Sequence, residues 1–530
     1  MSTEKLYLRR NLVMEPLVDQ WYAWPHLISP ATTAMNIVER HIKIMESYVR
    51  GPKIHAAAVK NPAMRGGPFI DYPTERVEEV KALIEQTRCE RADMIELAQS
   101  IVALDELLRN EALGYSLEPL YPKVPEPLRG YVELVYDLNN NPSFRVIEPL
   151  LYRSKYYDPS KQSLMLSTIL NDDRPFVLST PRFEAENDVH LKIPFAHEGI
   201  DTLFRMRSEP RAFGEIKEML GLEDRYDGRF REFFTTEAPP AYKRYDGPGV
   251  RWRYFGHACI LVETRDICML LDPVLSYTYD SAISRYTYDD LPDEIDYVLI
   301  THNHQDHLLF ETLLQIRSRV KNIIVPRNGG GALQDPSLRM VLQYTGFPNV
   351  IEVEDLDTMK IEGGEITFLP FLGEHSDLNV RTKTAFAVRL NGHQLLFAAD
   401  SCNIEPRLYE HLYPIVGDVD VLFLGMECDG APLTWLYGPL LTRPLNRGMD
   451  QSRRLAGSNF ERARSIVETL HCKEAYVYAM GQEPWLNYIM SIKYTEESNP
   501  IIASNKLIAW CGENGIMAER LFGEKEILIT

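Results

Sequence analysis

The sequence predicts an α/β (α+β) protein in which a C-terminal αββα sandwich follows a mixed, largely helical N-terminal domain. Three observations carry this reading. Residues 31–50 and 73–108 repeat apolar side chains at helical spacing, and two proline and glycine clusters interrupt 238–249. Beyond that break, short apolar runs of strand length recur and alternate with helical stretches. The boundary is expected at 245/246, giving domains 1–245 and 246–530.

In chain order, Met35, Val38, Ile42, Met45 and Val49 mark the first amphipathic helix. A second starts near Pro73, a good first-turn residue, and runs through Val77, Val80, Ile84, Met94, Ala98 and Ile101 to about Leu108. Residues 117–127 carry several prolines and read as a connector. Short strands or helices are expected on either side of the turn Asn139-Asn140-Asn141-Pro142, and 175–189 mixes strand-like and turn residues. After the break, strands are expected at 250–254, 257–263, 267–271, 297–300, 320–325, 350–353, 365–369, 384–390, 394–399, 419–424 and 475–478. Helices are expected at 308–317, 331–344 and 459–471.

Composition excludes several classes. A chain of 530 residues that is 45% hydrophobic buries a large core. No apolar run reaches the roughly 18 to 20 residues that span a bilayer, and the N-terminus lacks the apolar core of a signal peptide, so a cytoplasmic protein without a membrane partner is expected. Seven dispersed cysteines without a C-x-x-C pair read as reduced, mostly buried thiols. A net charge of −19 argues against nucleic acid as a partner.

The chemistry concentrates at Thr301-His302-Asn303-His304-Gln305-Asp306-His307, directly after the apolar run 297–300 and before a helical stretch. Four metal-capable side chains therefore share one strand-to-helix turn, where a rigid strand and helix hold them convergently. Asp400, at the end of the 394–399 strand, can bridge two ions through its two oxygens. At Gly373-Glu374-His375-Ser376 two ligands compete. His375 would complete an imidazole-rich zinc set, and Glu374 a mixed carboxylate set suited to iron or manganese. After the strand at 475–478 the chain runs Ala479-Met480-Gly481-Gln482-Glu483-Pro484-Trp485 without a histidine, leaving one metal with open positions. Gln482 and Glu483 are expected beside that open side, and Glu427 and Asp429 face a substrate amine. Asp272 orients the ligand loop, Trp435, Tyr437 and Trp485 wall a pocket, and His257 reads as an ordinary buried histidine.

The spelling His-x-His-x-Asp-His resembles the metallo-β-lactamase superfamily. Together with the long N-terminal region, Gly373-Glu374-His375-Ser376, Ala399-Asp400-Ser401 and the missing late histidine, the chain resembles the dinuclear-iron β-hydroxylases of nonribosomal peptide biosynthesis, the chloramphenicol-pathway type. The resemblance implies two irons, oxo- or hydroxo-bridged when oxidised. His302, His304 and Glu374 would bind one, Asp306 and His307 the other, and Asp400 would bridge; Glu374 and Asp400 act through the metals, with Glu427 and Gln482 as further catalytic candidates. It further implies an O2-dependent monooxygenase that hydroxylates the β-carbon of an aromatic amino acid held as a thioester on a peptidyl carrier domain. An electron-donor protein or small reductant and a homodimer complete the expectation. The competing expectation is a dinuclear zinc hydrolase of the same superfamily, a lactonase or phosphodiesterase, with His375 as ligand.

Overall fold

The computed structural model describes residues 4–530. Two seven-stranded mixed sheets pack face to face. The first runs in the order Val350–Val353, Val320–Pro326, Ile295–Leu299, Cys268–Leu271, Ile260–Glu263, Val250–Tyr254, Lys525–Ile529. The second runs Thr358–Ile361, Gly364–Leu369, Ala385–Leu390, His393–Phe397, Val421–Gly425, Glu474–Tyr478, Met517–Arg520. Inward residues of both sheets form the sandwich interior, in which Trp252 meets Phe423 and Tyr476 edge-on at 5.0 and 4.8 Å. Helices Arg407–Val416, Phe460–Thr469 and Asn499–Glu513 cover the outer face of the second sheet. This is the αββα sandwich that the strand pattern predicts.

The outer face of the first sheet is covered by helices Phe310–Ile316 and Leu338–Tyr344 together with the N-terminal region. Leu270, Val298 and Ile323 share one core with Leu12, Met14, Leu164, Leu203 and Phe204, so the N-terminal region lies directly on the catalytic sheet. That region contains strands the sequence reading does not place, notably Leu12–Val18 paired antiparallel with Gln162–Thr168. Pro16 argues against a strand there. It fits because the short neighbour Trp21–Tyr22 pairs only with Leu17 and Val18. The sequence reading also does not place the edge strands Thr358–Ile361, Met517–Arg520 and Lys525–Ile529, which are short runs of mixed polarity.

Two expected helices change. The helix at 73–108 is two, Val77–Glu90 and Ala92–Glu111, because buried Arg91 leaves helical geometry and pairs with Asp19 at 3.2 Å. The helix at 331–344 is confined to Leu338–Tyr344. Gly330 and Gly331 take φ of +80° and +99°, and a Cβ on Gly331 would lie 2.1 Å from the Val146 carbonyl oxygen, so this stretch runs against the hairpin of Val132–Tyr136 and Pro142–Val146. The helix expected at 31–50 is continuous through a π-helical segment, Ile37–Ile42.

One buried charge network locks the N-terminal region to the helix that follows the histidine cluster. Glu311 on Phe310–Ile316 accepts hydrogen bonds from Arg174 at 2.7 and 2.9 Å, Tyr22 at 2.6 Å and Tyr277 at 2.7 Å. Arg174 also reaches Glu15, which Arg182 binds from the other side. Burial opposes the charge on Glu15, yet Arg182 and Arg174 outweigh it and hold its carboxyl down at about 2. Arg174→Ala leaves two buried carboxylates short of a cation. It is expected to lower stability by about 3–5 kcal/mol, read by chemical denaturation; a loss under ~1 kcal/mol would show that the network carries little of the docking.

Candidate metal centre

Every candidate ligand follows the C-terminal end of a strand, the edge at which α/β sheets present functional side chains. The chain leaves these strands through left-handed turns. His257, Asp272, Glu374, Ala399 and Ala479, none of them glycine, have φ of 52°, 38°, 64°, 46° and 53°. Such geometry costs on the order of 1–3 kcal/mol per residue and persists only where the surroundings enforce it. Here it re-aims the side chain at or beside each turn into a common, buried site.

Three donor groups result: His302, His304 and Glu374; His302, His307 and Asp400; and His257, Asp306 and His307. Within each group the ligand atoms lie within 4.8 Å of one another. Hydrogen bonds behind the rings fix which nitrogen faces the site. Asp272 accepts from the Thr301 amide at 2.8 Å and hydroxyl at 2.6 Å, and from His307 Nδ1 at 2.8 Å, leaving His307 Nε2 directed at Asp400, 3.1 Å away. With its proton given to Asp272, the Thr301 hydroxyl accepts from His302 Nδ1 at 3.0 Å, so His302 Nε2 also points inward. His304 is turned the other way. Its Nδ1 lies 3.1 Å from Glu374 Oε1, and its Nε2 donates to the Tyr437 hydroxyl at 2.9 Å.

That hydroxyl separates Glu374 from His375. Having accepted from His304, Tyr437 donates to His375 Nδ1 at 2.7 Å, so His375 enters none of the three donor groups, although its Nε2 is buried without a hydrogen-bond partner. Glu374 stands in the donor group with His302 and His304.

Electrostatics make the same point. Burial, then the charges of Asp400 and Asp306, push the Glu374 carboxyl well above its usual range; burial, then Glu374 and Asp400, do the same to Glu427. Burial and neighbouring rings hold His302 far below its ordinary value and His304 near 4, so both imidazoles are neutral. For His307 burial acts against the charge, but Asp400, Asp272 and Asp306 outweigh it. Apart from His307, this buried set of carboxyls and imidazoles has no cation of its own.

Residues 7–239 match the diiron non-heme beta-hydroxylase N-terminal domain, and residues 268–431 a beta-lactamase superfamily domain. The 4-amino-L-phenylalanyl-(CmlP-peptidyl-carrier-protein) 3-hydroxylase of Streptomyces venezuelae is 40% identical over 523 residues, spanning 97% of this chain and 98% of that protein. The chain belongs to the diiron β-hydroxylases. The crystal structure of CmlA, a diiron beta-hydroxylase from Streptomyces venezuelae, matches with a TM-score of 0.93 at 39% identity and covers all of both chains. A metal-dependent hydrolase of Methanopyrus kandleri is 33% identical over 123 residues, only 23% of this chain and 46% of that protein.

Diiron β-hydroxylases are non-haem enzymes with a two-iron centre, and the residues here fit one. His302 Nε2 and Asp400 Oδ1 are buried without a hydrogen-bond partner, and donor groups of two imidazoles with one carboxylate suit non-haem iron. Asp272 stands behind the ligands as expected. His257 is a correction to the sequence reading: its Nε2 lies 3.2 Å from Asp306 Oδ2, while its Nδ1 accepts from the Gly481 amide at 3.2 Å, so it faces the centre. The Phe-Gly turn before it conceals this, because only the left-handed φ turns the ring inward.

A cavity of about 320 Å³ opens onto His304, Asp306, Glu374 and Asp400 and includes Glu427, Asp429 and Trp435 in its wall. Gln482 and Trp485 do not line it; Trp485 packs under Arg285 at 4.1 Å, and Glu483 accepts from Tyr254. Tyr437→Phe frees His375. After reconstitution with equal Fe(II) and Zn(II), this variant is expected to retain about tenfold more zinc relative to iron than the wild type, measured by metal analysis. An unchanged ratio would remove Tyr437 from ligand selection.

Proposed function

We propose that the protein hydroxylates the β-carbon of an amino acid, an aromatic one, held as a thioester on a nonribosomal peptide synthetase carrier domain. The observation that carries this reading is the Glu374 position, where a carboxylate stands in the donor set and the adjacent imidazole is bound by Tyr437. The relative in Streptomyces venezuelae, with its carrier-bound aminoacyl substrate, supports the same substrate class.

In this reading His302, His304 and Glu374 hold one iron, Asp306 and His307 the other, and Asp400 lies between them. When bound, the iron pair supplies the reduction of dioxygen that no side chain can perform, with electrons from a donor protein or small reductant. The rest falls to the polypeptide. Asp272, Thr301 and Tyr437 keep the histidine tautomers. Trp435, Leu436 and Leu455 exclude water from the cavity, and Glu427, beside the Tyr494 hydroxyl, faces the substrate ammonium. Residues 1–245 serve as the docking and dimerisation part and 246–530 as the catalytic part; exposed Leu113, Tyr115 and Leu138 offer apolar surface for a homodimer.

The direct test is intact-mass analysis of aminoacyl carrier domains after incubation with iron-loaded, reduced enzyme in air. A gain of one oxygen atom on an aromatic aminoacyl carrier is expected; hydrolysis of the thioester without oxygen gain would overturn the reading. In the same assay Asp400→Ala is expected to reduce oxygenation by at least about a hundredfold, with bound iron falling below the wild-type content.

A further inference from the structure

Charge along the catalytic cavity is graded. At its inner end stand buried His304, Asp306, Glu374 and Asp400, followed by half-buried Glu427. Trp435, Leu436 and Leu455 form apolar wall, and the exposed Arg65 and Lys493 lie at the mouth beside half-buried Arg454 and the exposed Asp429 that Arg454 contacts. The mouth joins the two halves of the chain. Trp435 Nε1 donates to the Gly66 carbonyl at 3.0 Å, and Gly66 needs its φ of +72° and missing side chain, since a Cβ would come within 3.2 Å of Ser491.

Many arginines and lysines of this chain, whose net charge is −19, pair with a carboxylate; the two exposed cations at the mouth do not. The side chains of Arg65 and Lys493 have neither an ion pair nor a hydrogen bond among the described residues, and Arg454 reaches the Asp429 carboxylate and carbonyl at 3.5 Å each and donates to Gln451. Arg443 and Arg447, exposed on the same 430–456 segment that roofs the cavity, are equally unpaired. Unpaired cations at the entrance of a buried, anionic chamber mark where an anionic part of the ligand stays outside.

Resting on the function proposed above, we infer that Arg65 and Lys493, with Arg454, bind the phosphodiester of the carrier's phosphopantetheine arm. The occupant is thereby oriented: phosphate at the cationic mouth, the neutral arm along Trp435 and Leu455, and the ammonium toward Glu427. An acidic carrier face around the attachment serine would meet Arg443 and Arg447 on the roof.

The test uses iron-loaded, full-length enzyme and two soluble probes, an aminoacyl phosphopantetheine and the matching aminoacyl pantetheine without phosphate. Wild-type enzyme is expected to bind the phosphorylated probe about tenfold more tightly, with the preference shrinking as salt rises. Arg65→Glu combined with Lys493→Glu should abolish that preference, and Arg65→Lys should keep most of it. Equal binding of the two probes by the wild type, or an intact preference in the double variant, would overturn the inference. The oxygenation assay on acylated carriers is a separate arm: a phosphate preference without oxygen transfer speaks against the proposed reaction and leaves the mouth assignment standing, whereas oxygen transfer without a phosphate preference does the reverse.

Discussion

Glu374, Asp306 and Asp400 crowd one buried site, with Glu427 close behind, and their mutual repulsion in a desolvated chamber is the constraint to which the surrounding structure answers. Imidazoles that burial keeps neutral do not relieve it. Metal cations do, which ties the stability of this arrangement to the centre it holds. The same crowding accounts for the cations lying at the entrance and not inside, where they would compete with the metals for the carboxylates.

Holding anionic side chains together requires rigidity, and the strand ends provide it by strained means. Left-handed φ values at His257, Asp272, Glu374, Ala399 and Ala479 recur around the centre because each strand must turn sharply to bring its next side chain inward. Two features support that strain. The sandwich interior behind the strands is densely aromatic. In front of the sheet, the network of Arg174, Glu15 and Glu311 clamps the helix after the histidine cluster to the N-terminal region. The N-terminal half is therefore part of the catalytic architecture: it covers the first sheet, anchors Glu311 and supplies Arg65 and Gly66 to the cavity.

Tyr437 links ligand choice to this architecture. A single hydroxyl accepts from one histidine and donates to another, so it fixes the tautomer of His304 and at the same time withdraws His375. Two neighbouring residues, Glu374 and His375, are thereby sorted into different roles by a group that is not itself a ligand.

Most of the sandwich was legible in the sequence because its central strands are continuous apolar runs, which read the same whatever they pair with. The cluster from His302 to His307 was legible because its ligands lie within one turn. The edge strands Thr358–Ile361, Met517–Arg520 and Lys525–Ile529 and the strand Leu12–Val18 were not, since short runs of mixed polarity or an internal proline hide them. That metal-capable side chains follow these strand ends was thus determined by the sequence alone. How Glu374 and His375 are oriented, and that His257 faces the centre, only the tertiary structure decided. Those outcomes depend on a tyrosine 62 residues beyond His375 and on backbone angles that no local propensity favours.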